Sequence, residues 1–190
     1  MKIANTSAVI LAGGKSSRMG RDKGRLKIGD TTFSNKLLSD FSDCFENVYL
    51  SVAVDSNLSG TNIIKDEKYG LGPLSGLLAA IKGTVGDNVF ICATDMPFAD
   101  PQIAQKLVEM LGDFDACVVR RTDGKVETAF GVFSKRILPK LNLELDNGKR
   151  SIMGLLDRIN TRYVDESELG EISDKSFLNV NTPEDYEKLF

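Results

Sequence analysis

The sequence predicts an α/β domain of three layers, with helices on both faces of a mostly parallel, mixed sheet in a Rossmann-like α/β/α arrangement. Three observations carry that expectation. Strand-like and helix-like segments alternate along the whole chain, and the segments Ala8–Ala12 and Asn88–Thr94 are continuous apolar runs rather than alternating ones. No repeat, low-complexity tract or linker interrupts the 190 residues, so one domain spanning 1–190 is expected, long enough to bury a substantial core. Continuous apolar strands are covered on both faces, and strands separated by helices run parallel.

The elements follow in order. Ala8–Ala12 is a buried strand that runs into Gly13-Gly14, where the backbone can turn sharply and approach a ligand closely. Arg25–Ile28 reads as short and extended, and Gly29-Asp30 as a turn. Phe33, Leu37, Leu38, Phe41 and Phe45 share one helical face and predict a helix over Phe33–Phe45. Val48–Val54 is a strand, and Ile63-Ile64 a shorter one ending at Lys65-Asp66. Gly70–Gly76 opens a helix through Ile81, with Pro73 suited to its first turn. Asn88–Thr94 is the second buried strand and stops at Asp95-Met96-Pro97. A helix from about Asp100 to Leu111, strands at Ala116–Val119 and Thr128–Phe133, and helices at Ile137–Leu141 and Ser151–Ile159 complete the alternation. Thr182-Pro183-Glu184-Asp185 starts a last short helix, with a threonine cap, proline at the first position and an acid at the third.

Composition excludes several classes. A net charge of −3 and a pI near 5.1 argue against nucleic acid as the main partner. No apolar run approaches the roughly 20 residues that span a bilayer, so no membrane is expected and the protein should be cytoplasmic. Cys44, Cys92 and Cys117 are odd in number and far apart, which suggests free thiols in a reducing compartment. The chain has no histidine, which removes Ser-His-Asp and Cys-His catalysis and most zinc chemistry together.

Against the negative total, the stretch after the first strand is basic: Lys15, Arg18, Arg21, Lys23, Arg25 and Lys27, with only Asp22 of opposite sign. A strand, a glycine turn and clustered cations form a cradle for a polyphosphate, with backbone N–H groups of Gly13 and Gly14 available to it. In a parallel sheet, ligands bind beyond the carboxyl ends of the strands. That rule gathers the Gly13–Lys23 loop, Asp66 and Asp95 at one edge. Asp95 can hold Mg²⁺ against phosphate oxygens, or act as a turn or cap residue before Met96-Pro97. Asn179 and Asn181 can orient phosphate or metal-bound water, or serve as turn residues ahead of the last helix.

The loop is neither a Walker A nor a Rossmann motif, because Gly20 precedes Arg21-Asp22 and Gly13-Gly14 are adjacent. Its pattern, L-A-G-G-x-x-x-R-M-G-x-x-K from Leu11 to Lys23, resembles the signature of nucleotidyltransferases of the nucleotide-diphospho-sugar transferase fold. Gly72–Leu77 (GPLSGL), Thr94–Phe98 (TDMPF) and Asn179–Asp185 (NVNTPED) follow in order, and Asn147–Leu156 (NGKRSIMGLL) fits the same pattern. Together, from Ala8 to Leu189, they resemble the molybdenum cofactor guanylyltransferase family, which joins GMP to molybdopterin.

The resemblance implies that Leu11, Ala12, Gly13, Lys23, Asp66 and Asp95 bind GTP and that Asp95 also binds Mg²⁺; the chemistry of joining two anions assigns Lys23 and Arg18 to the phosphates. The resemblance places the molybdenum-bound molybdopterin acceptor near Gly76, Asn179 and Asn181, and implies transient contact with proteins that make or receive the cofactor. Two departures stand out. Ser51 occupies a nucleotide-contact position where many members carry Asn, and Lys125–Phe130 (KVETAF) lacks the His-Pro some members place there. A cytidylyltransferase acting on molybdopterin or on a sugar or alditol phosphate is the alternative enzyme. A GTP-binding module without turnover is the alternative from another class.

Overall fold

A computed structural model describes residues 2–12, 23–53, 62–66, 72–173 and 175–189, with Lys23 described by its backbone only. Nine strands and six α-helices are found among them: β1 (Thr6–Leu11), β2 (Lys27–Ile28), β3 (Thr31–Thr32), α1 (Phe33–Ser42), β4 (Val48–Val52), β5 (Ile63–Lys65), α2 (Pro73–Gly83), β6 (Asn88–Ala93), α3 (Pro101–Leu111), β7 (Ala116–Arg120), β8 (Val126–Ser134), α4 (Leu138–Asp146), α5 (Ile152–Leu156), β9 (Thr161–Asp165) and α6 (Pro183–Glu187). The main sheet has seven strands in the order β5-β4-β1-β6-β8-β7-β9. Only β8 runs against its neighbours; the remaining pairs are parallel. The expected three-layer, mostly parallel mixed sheet is therefore present.

The period-two pattern of the central strands explains the layers. In β1, Ala8 and Ile10 face α1 and α3, where Leu37, Phe41, Ile103 and Leu107 pack. Val9 faces the opposite layer, made by α2, α4 and α5 through Leu74, Leu77, Leu141 and Leu155. Phe90 and Cys92 of β6 go to the first layer, Val89 and Ile91 to the second. Both faces are covered, which is why these strands read as unbroken apolar runs.

An aromatic chain ties the first layer together. Phe90 stacks on Phe41 at 5.5 Å and Phe45 at 5.8 Å, meets Phe130 edge-on at 4.9 Å, and Phe130 meets Phe177 edge-on at 5.5 Å. Such pairs contribute about 0.5–1.5 kcal/mol each beyond burial. They also anchor the segment around Phe177, which lies outside any helix or strand, against the sheet.

Several boundaries differ from the sequence reading. The first helix ends at Ser42, and Phe45 is buried from the turn beyond it, held by Phe45 N–H to the Phe41 carbonyl at 2.9 Å and by the Ile3–Phe45 bridge. Arg25 belongs to a 3-10 turn, Lys23–Arg25, rather than to an extended segment. The helix expected at Ile137–Leu141 begins as a 3-10 turn and continues to Asp146, and α5 is shorter than Ser151–Ile159, with Ser151 as its cap. The strand β9 was not anticipated. No helix among the described residues is long and apolar enough to cross a membrane.

Candidate active site

The carboxyl ends of β1, β4, β5 and β6 meet at one edge of the sheet. Leu11 is level with Ser51 of β4 and with Ala93 of β6, and Ser51 is level with Ile64 of β5. Asp66 and Asp95 thus follow strand ends at one edge of the sheet, as the sequence predicts, with β4 and β1 between the strands that carry them. The edge is closed by backbone hydrogen bonds. Ala12 N–H donates to the Ser51 carbonyl at 2.7 Å, and the Thr94 N–H and Oγ1 both donate to the Leu11 carbonyl, at 3.1 and 3.2 Å. The Leu11 carbonyl and the Ala12 N–H are therefore committed to the sheet, and both residues are half-buried.

Ser51 is 1% exposed, and its Oγ donates to Asp66 Oδ1 at 3.3 Å. The position that resemblance marks as a nucleotide contact thus acts on Asp66, holding the carboxylate in place. Asp66 N–H is in turn bonded to the Val52 carbonyl at 3.0 Å. Burial raises the Asp66 carboxyl above the ordinary aspartate range, and the Ser51 hydroxyl works in the opposite direction.

Asp95 sits in the first of two tight turns after β6, made by Met96 N–H to the Ala93 carbonyl at 3.2 Å and Ala99 N–H to the Met96 carbonyl at 3.0 Å. Its own carbonyl accepts from Val180 N–H at 2.8 Å. That single bond brings the NVNTPED segment onto the Asp95 turn, with Asn179 and Asn181 on either side. Asn179 Nδ2 donates to the Phe177 carbonyl at 3.0 Å, and Asn181 N–H to Asp185 Oδ2 at 3.0 Å. Asp185 completes a capping box with Thr182, and the N–H donors of Asn181 and Thr182, with the Thr182 side chain, hold its carboxyl below the usual range. From there α6 reaches the β2–β3 hairpin, where the Tyr186 hydroxyl donates to the Lys27 carbonyl at 2.7 Å. The C-terminal segment so spans from the Asp95 turn to the chain just past the basic loop.

Two further expected residues lie at the start of α2. Gly76 packs beside Leu11, at the end of β1: a Cβ there would stand 3.5 Å from Leu11 Cδ2. Gly72, at φ +70°, caps the helix in a conformation that favours glycine, and a Cβ on it would meet Arg150 Cβ at 3.1 Å. The Asn147–Leu156 stretch is therefore seated over this helix start, with Leu74 N–H donating to the Arg150 carbonyl at 3.4 Å. Gly13, Gly14, Arg18 and the other loop residues to Asp22 lie outside the described residues, as does the Lys23 side chain.

Among the described residues no group of three or more His, Cys, Asp or Glu side chains gathers to hold a metal. The described carboxylates at this edge are Asp66 after β5 and Asp95 after β6, three positions apart in the strand order, so a cation at either meets one carboxylate. That suits a hard divalent cation that completes its shell with phosphate oxygens and water, and does not suit zinc.

Sequence reasoning did not find the residues beyond β7. Arg121, Glu127 and Glu166 form a charged cluster there, against Phe177, because antiparallel β8 brings its start to the same edge as the ends of β6 and β7. The available signal was Glu127, a lone acid inside an otherwise uncharged strand stretch.

The comparisons with known proteins agree with this arrangement. The MobA-like NTP transferase domain family matches residues 8–162. A probable molybdenum cofactor guanylyltransferase of Pelotomaculum thermopropionicum is 32% identical over 186 residues, covering 96% of this chain and 90% of that protein. The molybdenum cofactor guanylyltransferase of Vibrio atlanticus is 33% identical over 191 residues, covering 95% of this chain and 93% of the relative. The crystal structure of a molybdopterin-guanine dinucleotide biosynthesis protein A from Archaeoglobus fulgidus superposes with a TM-score of 0.79 at 23% identity, over 96% of this chain and 95% of that one.

Proposed function

The chain belongs to the MobA-like NTP transferase family, among the molybdenum cofactor guanylyltransferases, and from that premise we propose that it transfers GMP from GTP to the terminal phosphate of molybdenum-bound molybdopterin, as one domain over residues 1–190. The products are the guanine dinucleotide form of the cofactor and pyrophosphate. The observation that carries this reading is the meeting, at Asp95, of three separate segments: the end of β1, the turn after β6 and the NVNTPED segment.

In the reaction an oxygen of the acceptor phosphate attacks the α-phosphorus of GTP, and the bond from that phosphorus to the β-bridging oxygen breaks. A phosphomonoester has its second pKa near ~6, so the nucleophile is already largely dianionic at neutral pH. No side chain need act as a strong base, which suits a chain without histidine. The obstacle is repulsion between two anions and charge building on the leaving pyrophosphate. Lys23 and Arg18, with the N–H groups of Gly13 and Gly14, meet that charge from the basic loop. Asp95 would hold Mg²⁺, which when bound neutralises phosphate oxygens. Leu11 and Ala12 shape the floor beneath the nucleotide, and Asp66, held by Ser51, accepts hydrogen bonds from the guanine edge or the ribose. Asn179 and Asn181 steady the acceptor phosphate opposite, while Gly76 keeps the α2 side of the cleft open.

Pyrophosphate release with molybdopterin and each nucleoside triphosphate tests the assignment. Turnover is expected with GTP and at most weakly with CTP, ATP or UTP. Equal turnover with CTP would make the protein a cytidylyltransferase, and tight GTP binding without turnover would make it a binding module.

The Asp66 contact predicts a pH dependence. The carboxylate form is the acceptor of hydrogen bonds, and burial makes Asp66 take up its proton at a higher pH than an exposed aspartate. GTP binding should therefore weaken on acidification from above the ordinary aspartate range. Loss of the Ser51 hydroxyl in Ser51→Ala should move that onset further up, and Asp66→Asn should bind GTP weakly with no such pH dependence. Titration calorimetry across pH reads all three; an unchanged onset in Ser51→Ala would separate Ser51 from the guanine subsite.

A further inference from the structure

The strand order divides the sheet edge into two halves. β5, β4 and β1 carry Asp66, Ser51 and the start of the basic loop, β6 carries Asp95, and beyond β6 stand β8 and β7. If the nucleotide lies over the first half, its reaction partner must approach from the second. The chain leaves β7 at Arg121, in a tight turn closed by Arg121 N–H to the Lys125 carbonyl and Gly124 N–H to the Arg121 carbonyl, each at 2.8 Å. β7 is parallel to β1 and β6, so Arg121 and Asp95 leave the sheet at the same edge, from strands two spacings, or roughly 9–10 Å, apart.

Arg121 is seated in an unusual way. Its guanidinium lies 5.4 Å from the centre of the Phe177 ring. Its Nη1 stands 3.8 Å from Glu127 and its Nε 3.6 Å from Glu166, both longer than a hydrogen bond. The Nε has no hydrogen-bond acceptor among the described residues. Glu127 is only 5% exposed and takes its close ion pair from Lys125, at 2.8 Å. The two carboxylates therefore flank the guanidinium without accepting a close hydrogen bond from it, which leaves its Nε donor unspent among the described residues. The Phe177 ring under it is joined to the Asp95 turn through the Asn179 bond to the Phe177 carbonyl and the neighbouring Val180 bond to Asp95.

We infer that Arg121 is an acceptor-binding residue: it receives the planar, carbonyl-bearing ring end of the acceptor, with its guanidinium set over the Phe177 ring and flanked by Glu127 and Glu166. The inference rests on the guanylyltransferase reading of the site. The acceptor's phosphate must lie at Asp95 to react, and its fused ring system must then extend away from the nucleotide, toward the side of the edge where Arg121 stands. A planar guanidinium can stack on such a ring or donate in a fork to its carbonyl and ring nitrogen, which an ammonium cannot do. Glu127 and Glu166 are positioning residues in this arrangement.

The test uses the full-length protein with molybdopterin and GTP, read by pyrophosphate release at saturating GTP and by calorimetry for GTP alone. Arg121→Ala should raise KM for molybdopterin about tenfold or more, the loss of a charge-assisted contact, while kcat and the GTP Kd stay within about twofold. Arg121→Lys, which keeps the charge facing both carboxylates and hence the fold, should still bind molybdopterin clearly more weakly than the wild type. A KM for molybdopterin within about twofold of wild type in both variants, with normal wild-type turnover, would overturn this inference alone; so would an equal loss of GTP affinity. A wild-type protein that binds GTP but never guanylylates molybdopterin would overturn the proposed function and this inference with it.

Discussion

Asp95→Asn should abolish guanylyl transfer, lowering kcat by about a thousandfold or more, on the order of 4 kcal/mol, while GTP still binds measurably. The exchange keeps the shape and removes the charge. Asn serves a turn or a cap about as well as Asp, and the backbone bonds that build this corner do not pass through the carboxylate. They are Met96 N–H to the Ala93 carbonyl and Val180 N–H to the Asp95 carbonyl, so the fold and the docking of the C-terminal segment should survive. GTP affinity should fall little, because the contacts proposed for the base and most of the polyphosphate, Asp66 and the basic loop, belong to the β1–β5 side. Divalent-ion binding in the presence of GTP, followed by Mn²⁺ electron spin resonance or by calorimetry, should drop in parallel with activity. Retained activity with unchanged dependence on the divalent ion would make Asp95 a turn residue and nothing more.

How far the fold could be read from the sequence depended on where each strand lies in the sheet. β1 and β6 were legible because both faces are covered, which writes an uninterrupted apolar run into the chain. β9 was not, since it is the last strand of the order: of Thr161, Arg162, Tyr163, Val164 and Asp165 only Val164 is buried, and the rest look like loop. The first helix was read too long for a different reason. Phe45 keeps the helical spacing of its neighbours, yet reaches the core from a turn, where Phe41 and Phe90 hold it. Helical periodicity records which side chains are buried; it does not record whether the backbone between them stays helical.

The site divides in the same way. The position of Asp66 and Asp95 at the carboxyl edge was legible because each follows the end of a recognisable strand, and the rule about carboxyl ends needs nothing more. The bond from Ser51 to Asp66 needed the pairing of β4 with β5, and the place of Arg121 needed β8 to be inserted between β6 and β7 in the opposite direction. Neither pairing can be counted from spacing along the chain. The packing of Gly76 beside Leu11 likewise joins α2 to the end of β1 through a contact that spacing along the chain does not give.

Lys23→Ala is expected to cost about 3 kcal/mol of transition-state stabilisation, a fall in kcat of roughly a hundredfold, with a smaller loss of GTP affinity. The size follows from what the chain has available. It carries no histidine, and the leaving pyrophosphate gains charge at the step in which the α-phosphorus changes partners, so a fixed cation is worth most there. Lys23 opens the 3-10 turn Lys23–Arg25, which follows the basic loop and is anchored from behind: Phe33 N–H donates to the Leu26 carbonyl at 2.9 Å, and the Tyr186 hydroxyl to the Lys27 carbonyl at 2.7 Å. A cation on an anchored turn needs little reorganisation when charge develops. Lys23→Arg should recover only part of the rate, because a planar fork and a compact ammonium place their donors differently. Added salt should not mimic the loss, since mobile ions screen exposed charges and do not replace a positioned one. The measurement is single-turnover GMP transfer at saturating GTP, alongside the GTP Kd. Near-normal turnover in Lys23→Ala would remove the polyphosphate cradle from the loop, whereas a loss confined to the GTP Kd would make Lys23 an anchor for the nucleotide in its ground state.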